Sequence, residues 1–236
     1  MLAYRGLIVD FAGVLSTPLG LSVRAWCERQ GLAADAWRRA LVEDPAGRAL
    51  YGELELGRIS QAEWNRRTAE LLGGIEHEDL MGRAHAEVRA VPEMVALVEE
   101  ARRAGLAVAL LSNSYGVDPY NPYVATGVWD LFDVRVISGE VGLAKPDPAI
   151  FRLTLERMGL AGEDCVFVDD YPANLVPAEE LGIATVHADG PGAAARAARL
   201  LGLPTVADPA DTVDAADAAD AVDVAEPAGP TGRDQA

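Results

Sequence analysis

The sequence predicts an α/β fold: a doubly wound parallel sheet carrying an inserted all-helical unit. Three observations predict it. Five short apolar runs are each followed closely by polar residues, helix-like segments separate the later ones, and residues 17–89 break that rhythm with helical patterns and no convincing strand. Strands alternating with helical segments imply βαβ units and therefore parallel pairing.

Taken in order, Gly6-Leu7-Ile8-Val9 is the first run and ends at Asp10. Helices are expected next over 21–30, 34–42, 60–72 and 78–89, the third opened by Ser60-Gln61-Ala62-Glu63, which fits a capping box. Residues 92–104 begin with Pro92, place Met94, Val95, Leu97 and Val98 at helical spacing, and stop at Gly105. The second strand, Ala107-Val108-Ala109-Leu110-Leu111, ends at Ser112-Asn113, and the third, Val134-Arg135-Val136-Ile137, leads to Ser138-Gly139. Residues 148–158 repeat the helical pattern, with Gly159 after them. Cys165-Val166-Phe167-Val168 runs into Asp169-Asp170, and Ala184-Thr185-Val186 into His187 and a Gly-rich loop over 188–192. The division that follows is a core of 1–16 and 90–203, a helical block of 17–89 and a separate tail of 204–236.

Composition narrows the function classes. Half of the 236 residues are apolar, enough to bury a sizeable core. No apolar run reaches the ~18 residues of a membrane span, and Met1-Leu2-Ala3-Tyr4-Arg5 opens no secretory signal. Two well-separated cysteines, Cys27 and Cys165, make no disulfide framework or zinc pattern; cytoplasmic residence is the expectation. A net charge of −17 argues against a nucleic-acid or anionic-membrane surface, which needs clustered Lys and Arg. Part of that charge sits in the tail, where Asp208, Asp211, Asp214, Asp217, Asp220 and Asp223 recur among alanines and valines. A three-residue step marks no single helix face, so the tail reads as a solvated, disordered extension.

Four strand ends carry or closely precede polar residues: Asp10, Ser112, Lys145 and Asp169/Asp170. Open α/β sheets place their sites outside the carboxyl ends of the strands, and apolar runs ending in carboxylates are hard to explain by packing. These residues resemble the four motifs of the haloacid dehalogenase-like hydrolases, in the subgroup with a helical cap between the first two. Asp10-Phe11-Ala12-Gly13-Val14-Leu15 is similar to the first motif, Leu110-Leu111-Ser112-Asn113 to the second, Lys145-Pro146-Asp147-Pro148 to the third, and Val168-Asp169-Asp170 with Asn174 to the fourth. Glu53-Leu54-Glu55-Leu56-Gly57-Arg58-Ile59-Ser60 resembles the cap's substrate loop. The resemblance covers residues 4 to about 203, making 17–89 the cap of a Rossmann-like core.

It implies a phosphatase in which Asp10 is the nucleophile and Lys145 neutralises both nucleophile and phosphate. Ser112, Asn113 and Arg58 would contact substrate. Mg²⁺ would be held by Asp10, Asp169, the carbonyl of Ala12 and Asp170, the last through water. The substrate would be a small phosphorylated metabolite, with no nucleic acid or membrane as partner. One position departs from the pattern. The residue two after the nucleophile is generally the aspartate that serves as general acid and base, and here it is Ala12. Such a group contributes ~10²–10⁴-fold, so Ala12 favours leaving groups that need little protonation, such as acyl phosphates or sugar 1-phosphates. It equally suits a non-catalytic module that binds a phosphate ligand, or a haloacid dehalogenase, whose halide needs no proton. The dehalogenase branch, however, lacks the carboxylate pair kept here as Asp169 and Asp170.

Other residues carry blander expectations. Tyr115, Tyr120, Asn121 and Tyr123 pack under the cap rather than border the substrate. Trp26, Trp37 and Trp64 form cap core, Arg24, Arg38 and Arg39 lie on solvated helix faces, and His77, His85 and His187 are structural or surface groups.

Overall fold

A computed structural model describes residues 3–204. Of the tail expected from 204 onward, all but Pro204 lies outside the described residues. The elements run β1 (Gly6–Val9), α1 (Leu19–Arg29), α2 (Ala36–Arg38), α3 (Pro45–Glu55), α4 (Gln61–Leu71), α5 (Leu80–Ala84), α6 (Pro92–Arg103), β2 (Ala107–Ser112), α7 (Pro122–Ala125), β3 (Val134–Ile137), α8 (Ser138–Val141), α9 (Pro148–Met158), β4 (Cys165–Asp169), α10 (Pro172–Glu180), β5 (Ala184–His187) and α11 (Ala193–Leu201).

The five strands form one parallel sheet in the order β3-β2-β1-β4-β5. Both faces are covered, which is why each strand reads as a nearly continuous apolar run rather than an alternation. Leu7, Val9, Val108, Leu110, Val166 and Val168 pack with residues of α6 and α11. Ile8, Ala109, Leu111 and Phe167 point the other way, against Ile150 and Phe151 of α9 and Leu175 and Ala178 of α10. The chain lays β2 and β3 on one side of β1, then returns to lay β4 and β5 on the other. The strand order therefore reverses between β1 and β4, and a crevice opens there at the carboxyl ends.

The helices between β1 and α6 bury a core of their own, built on Trp26, Trp37, Trp64, Leu41, Leu50 and Leu54. Trp37 lies 5.7 Å from Trp26 and 5.6 Å from Trp64, ring centre to ring centre. The two chain crossings into and out of this block run side by side. Ser16 bridges to Ala90, Thr17 N donates to Arg89 O at 2.8 Å, and Val91 N donates to Leu15 O at 2.8 Å.

The block differs from expectation in three places. Residues 34–42 form only one short helical turn, α2, continued by a wider π-type turn, Arg39–Glu43. The cause is Pro45, which forces Asp44 into extended backbone (ψ 131°) and stops the helix. Helix α3 then starts there, with Pro45 in its first turn and the Asp44 side chain accepting from the Ala46 and Gly47 amides. The cap signal was present in the sequence, and the end of α3 takes in Glu53, Leu54 and Glu55 of the loop expected over 53–60. Finally, the helix expected over 78–89 shrinks to α5, because the chain must straighten to bring Ala90 beside Ser16.

Candidate active site

Register places the first carboxylates. Val9 pairs with Val168 and Leu110, so Asp10 leaves β1 alongside Asp169 of β4 and near Ser112 of β2. Lys145 comes from the segment before α9 and inserts its ammonium between the carboxylates. Its Nζ lies 2.8 Å from Asp10 Oδ1 and 2.6 Å from Asp169 Oδ2. All three side chains are buried. A buried cation against two carboxylates is stable only when geometry and extra hydrogen bonds compensate for lost hydration. Asp169 has those bonds: Oδ1 accepts from the Tyr171 amide at 2.8 Å and from Asn174 Nδ2 at 3.0 Å.

Asn113 closes the other side. Its Nδ2 donates to Lys145 O at 2.9 Å and its Oδ1 accepts from Lys145 N at 2.8 Å. The side chain expected to contact substrate therefore grips the Lys145 backbone and aims that residue. Ser112 is buried, with Oγ a long 3.4 Å from Asn113 O and its side chain beside the Tyr123 hydroxyl, and it lines the crevice mouth beside Ala12.

Asp10, Asp169 and Asp170 each offer an oxygen within 4.8 Å of the others. Gly13 stands next to them at φ 72°, where an added Cβ would lie 2.3 Å from Asp170 Oδ2. Absence of a side chain at Gly13 is what lets the Asp170 carboxylate settle against the backbone of the first loop. Such a set of hard oxygens fits a hard divalent cation. Burial pushes Asp10 up to about 7, against the pull of Lys145, and Asp169 and Asp170 add to the rise.

Two groups at this end of the sheet were read from sequence only as neighbours or bland positions. Glu55, the last residue of α3, is buried, and its Oε1 meets no hydrogen-bond donor among the described residues. Burial pushes its carboxyl up to about 7, opposed by the charge of Lys145. Only its place beside Gly57 in the expected substrate loop hinted at it. Gly57 itself (φ 64°) packs so closely on α8 that a Cβ would stand 2.1 Å from Gly139 O. Arg58, expected at the substrate, is exposed, and its amide donates to Glu53 O at 2.8 Å. The other group is His85, buried against Tyr115 and held neutral: burial lowers it to about 4.

Above Ala12, Ser112 and Asn113 lies a narrow cleft of about 20 Å³, room for about one water, closed by Leu19, His85 and Val88 from the helical block and by Tyr115, Tyr120 and Pro122 from the segment after β2. Tyr115 joins the core of the helical block, while Tyr123 is wholly buried under the sheet and Asn121 caps α7 through its Oδ1. Gln61 ties the two parts together: Nε2 donates to Tyr120 O at 2.9 Å and Oε1 accepts from Tyr120 N at 3.0 Å. A larger, open recess of about 520 Å³ runs along β5 and α11 but meets none of Asp10, Lys145 or Asp169. No described helix is long and apolar enough to cross a membrane.

A family model for haloacid dehalogenase-like hydrolases matches residues 4–182. Among curated relatives, a phosphoserine phosphatase of Thermus thermophilus is 41% identical over 99 residues, covering 42% of this chain and 40% of that protein. A glyceraldehyde 3-phosphate phosphatase of Methanocaldococcus jannaschii is 31% identical over 103 residues, 43% of this chain and 45% of that one. The match thus spans less than half of either phosphatase. Among solved structures, a HAD family enzyme from Bacteroides thetaiotaomicron in a magnesium complex superposes with a TM-score of 0.61 at 25% identity, over 78% of this chain and 93% of its own.

Proposed function

The chain belongs to the haloacid dehalogenase-like hydrolase family, and on that premise we propose that it is a magnesium-dependent phosphatase of a small phosphorylated metabolite, with 17–89 as its cap. The observation that carries this reading is the buried contact of Lys145 with Asp10 and Asp169 at the point where the strand order reverses. The phosphatases among the relatives support it.

In this reading Asp10 attacks phosphorus and the leaving group departs, giving an acyl phosphate that water then hydrolyses, so one hard step becomes two easier ones. Lys145 holds Asp10 in line and balances the negative charge that phosphoryl transfer gathers there. Ser112 and the neighbouring backbone amides hold phosphate oxygens. Asp10, Asp169, Asp170 and the Ala12 carbonyl are the residues that would hold Mg²⁺, which when bound supplies charge neutralisation at the transferring group. Asn113 and Asn174 keep Lys145 and Asp169 in place. Arg58 reaches substrate only from the exposed loop between α3 and α4. The buried, unpaired Cys27 and Cys165 suit a reducing cytoplasm.

Ala12 puts a methyl group where the family's proton donor stands, and this one position favours a second reading, a phosphate-ligand binding module without turnover. The test is release of inorganic phosphate from acetyl phosphate and from a sugar phosphate, with and without Mg²⁺, against an Asp10→Asn background. Magnesium-dependent release that vanishes in Asp10→Asn is expected, with acetyl phosphate the better substrate. Release equal to that background on both substrates would favour the binding module.

A further inference from the structure

Ala12 leaves two proton transfers without a carboxylate beside the nucleophile: one to the leaving group, and one from the water that hydrolyses the acyl phosphate. A substrate such as acetyl phosphate dispenses with the first, since acetate leaves unprotonated. No substrate dispenses with the second, because every turnover passes through the same phospho-aspartate.

The narrow cleft above Ala12 bears on that second transfer. Its floor is Ala12, Ser112 and Asn113, and His85 enters it from the helical block. At about 20 Å³ it exceeds the ~10–15 Å³ that one water needs, and Ser112, Ser114 and His85 give it polar walls. His85 is 4% exposed, yet neither ring nitrogen has a hydrogen-bond partner among the described residues, and burial alone acts on its protonation. A position that needed only packing would be filled at less cost by an apolar ring, because buried polar atoms without partners are disfavoured. The imidazole is also held still. It stacks on Tyr115 at 17°, with the ring centres of Tyr115, Tyr120 and Trp37 each 6.2 Å away. Its backbone N donates to Met81 O and its O accepts from Val88 N, both at 3.0 Å.

The other described residues lining the cleft carry hydrocarbon, hydroxyl, amide or phenol groups, none of which takes up a proton near neutrality. Glu55 lies in the field of Lys145 and is not among them. Burial keeps the imidazole in the neutral form that accepts a proton. A phosphoryl group on Asp10, two residues before Ala12, brings negative charge close by and so favours the imidazolium.

We propose that His85 is the general base of the second half-reaction, taking a proton from a water seated between its ring and Ala12 as that water attacks the phosphorus of phospho-Asp10. The new P–O bond forms as the bond from phosphorus to the Asp10 oxygen breaks. Asp10 returns to carboxylate, inorganic phosphate is released, and the proton on the imidazole passes to phosphate or solvent. The inference rests on the phosphatase reading, which makes Asp10 the nucleophile.

Separating the two half-reactions tests it. The full-length parent, His85→Gln and His85→Asn proteins are mixed with Mg²⁺ and acetyl phosphate radiolabelled in its phosphoryl group, quenched in acid, and assayed for protein-bound and free phosphate. Both variants are expected to take up label as fast as the parent and to release phosphate ~10²-fold more slowly, the low end for a lost general base, so that label accumulates on Asp10. Adding Ala12→Asp to His85→Gln is expected to restore release; no restoration overturns the inference. Release within about threefold of the parent, far short of what a base supplies, also overturns it. So does joint loss of uptake and release in both variants, the mark of a structural role. A parent that neither takes up label nor releases phosphate refutes the phosphatase reading itself, whereas a parent that turns over beside variants that match it refutes the role of His85 alone.

Discussion

Glu55 offers a quantitative test of how the helical block closes on the sheet. Its carboxyl is buried beside Lys145 and raised from 4.5 to about 7. Unfolded, the group titrates near its ordinary value. Because the folded value is the higher one, the folded protein holds the proton more tightly, and the associated stability is fully present below pH ~4.5 and lost as pH climbs through about 7. A rise of that size corresponds to about 3 kcal/mol, at ~1.36 kcal/mol per unit. Glu55→Gln keeps the shape of the protonated acid and cannot ionise. Urea unfolding of both full-length proteins in EDTA, from pH 4.5 to pH 8.5, should therefore show the variant gaining about 3 kcal/mol on the parent across the range. Asp10, also raised to about 7, slopes the same way in both proteins and cancels in the difference. Parallel curves, differing by less than ~1 kcal/mol from end to end, would mean that Glu55 stays ionised and hydrated, and the packed closure over Lys145 would be refuted.

Two further perturbations test neighbouring parts of the site. Ala12→Asp restores a proton donor two residues after the proposed nucleophile; hydrolysis of an alkyl phosphate should rise by ~10²-fold, the low end for general acid catalysis, while acetyl phosphate changes little. An equal gain on both substrates would show that protonation of the leaving group was not what the natural residue lacks. Gly57→Ala forces a Cβ to within 2.1 Å of Gly139 O, at a φ of 64° that itself costs an alanine ~1–2 kcal/mol. Lower thermal stability and a raised KM are expected together, and a variant with unchanged KM would separate the loop from substrate closure.

How much of this was legible in the chain differs from element to element. All five strands were found, each from a short apolar run, because a strand covered on both faces needs no alternation and stands out against polar loops. Helices α6 and α9 announced themselves through an opening proline and a closing glycine. Helix α3 carried the same kind of signal, Asp44-Pro45, yet 43–52 holds no element in the sequence expectation, and the helix's last three residues fall at the start of the expected loop. The helix expected over 78–89 failed for another reason: Ser16, far away in the chain, claims Ala90 as a backbone partner, and local propensity yields to that pairing.

What the sequence alone determined was the set of strand ends and the chemistry placed on them: Asp10, Ser112, Lys145 and Asp169, in that order, with Ala12 where a carboxylate is usual. Those are local facts, since a residue following an apolar run emerges at the end of its strand. The tertiary structure decided the rest. The reversal of strand order between β1 and β4 brings Lys145 to 2.8 Å from Asp10 and 2.6 Å from Asp169. The fold of the sheet turns Asn113 onto Lys145, and the packing of the helical block against the sheet buries Glu55 and walls the cleft with His85 and Tyr115. Burial and charge proximity belong to pairs of residues distant in the chain, and only the folded arrangement assigns a residue both its neighbours and its protonation.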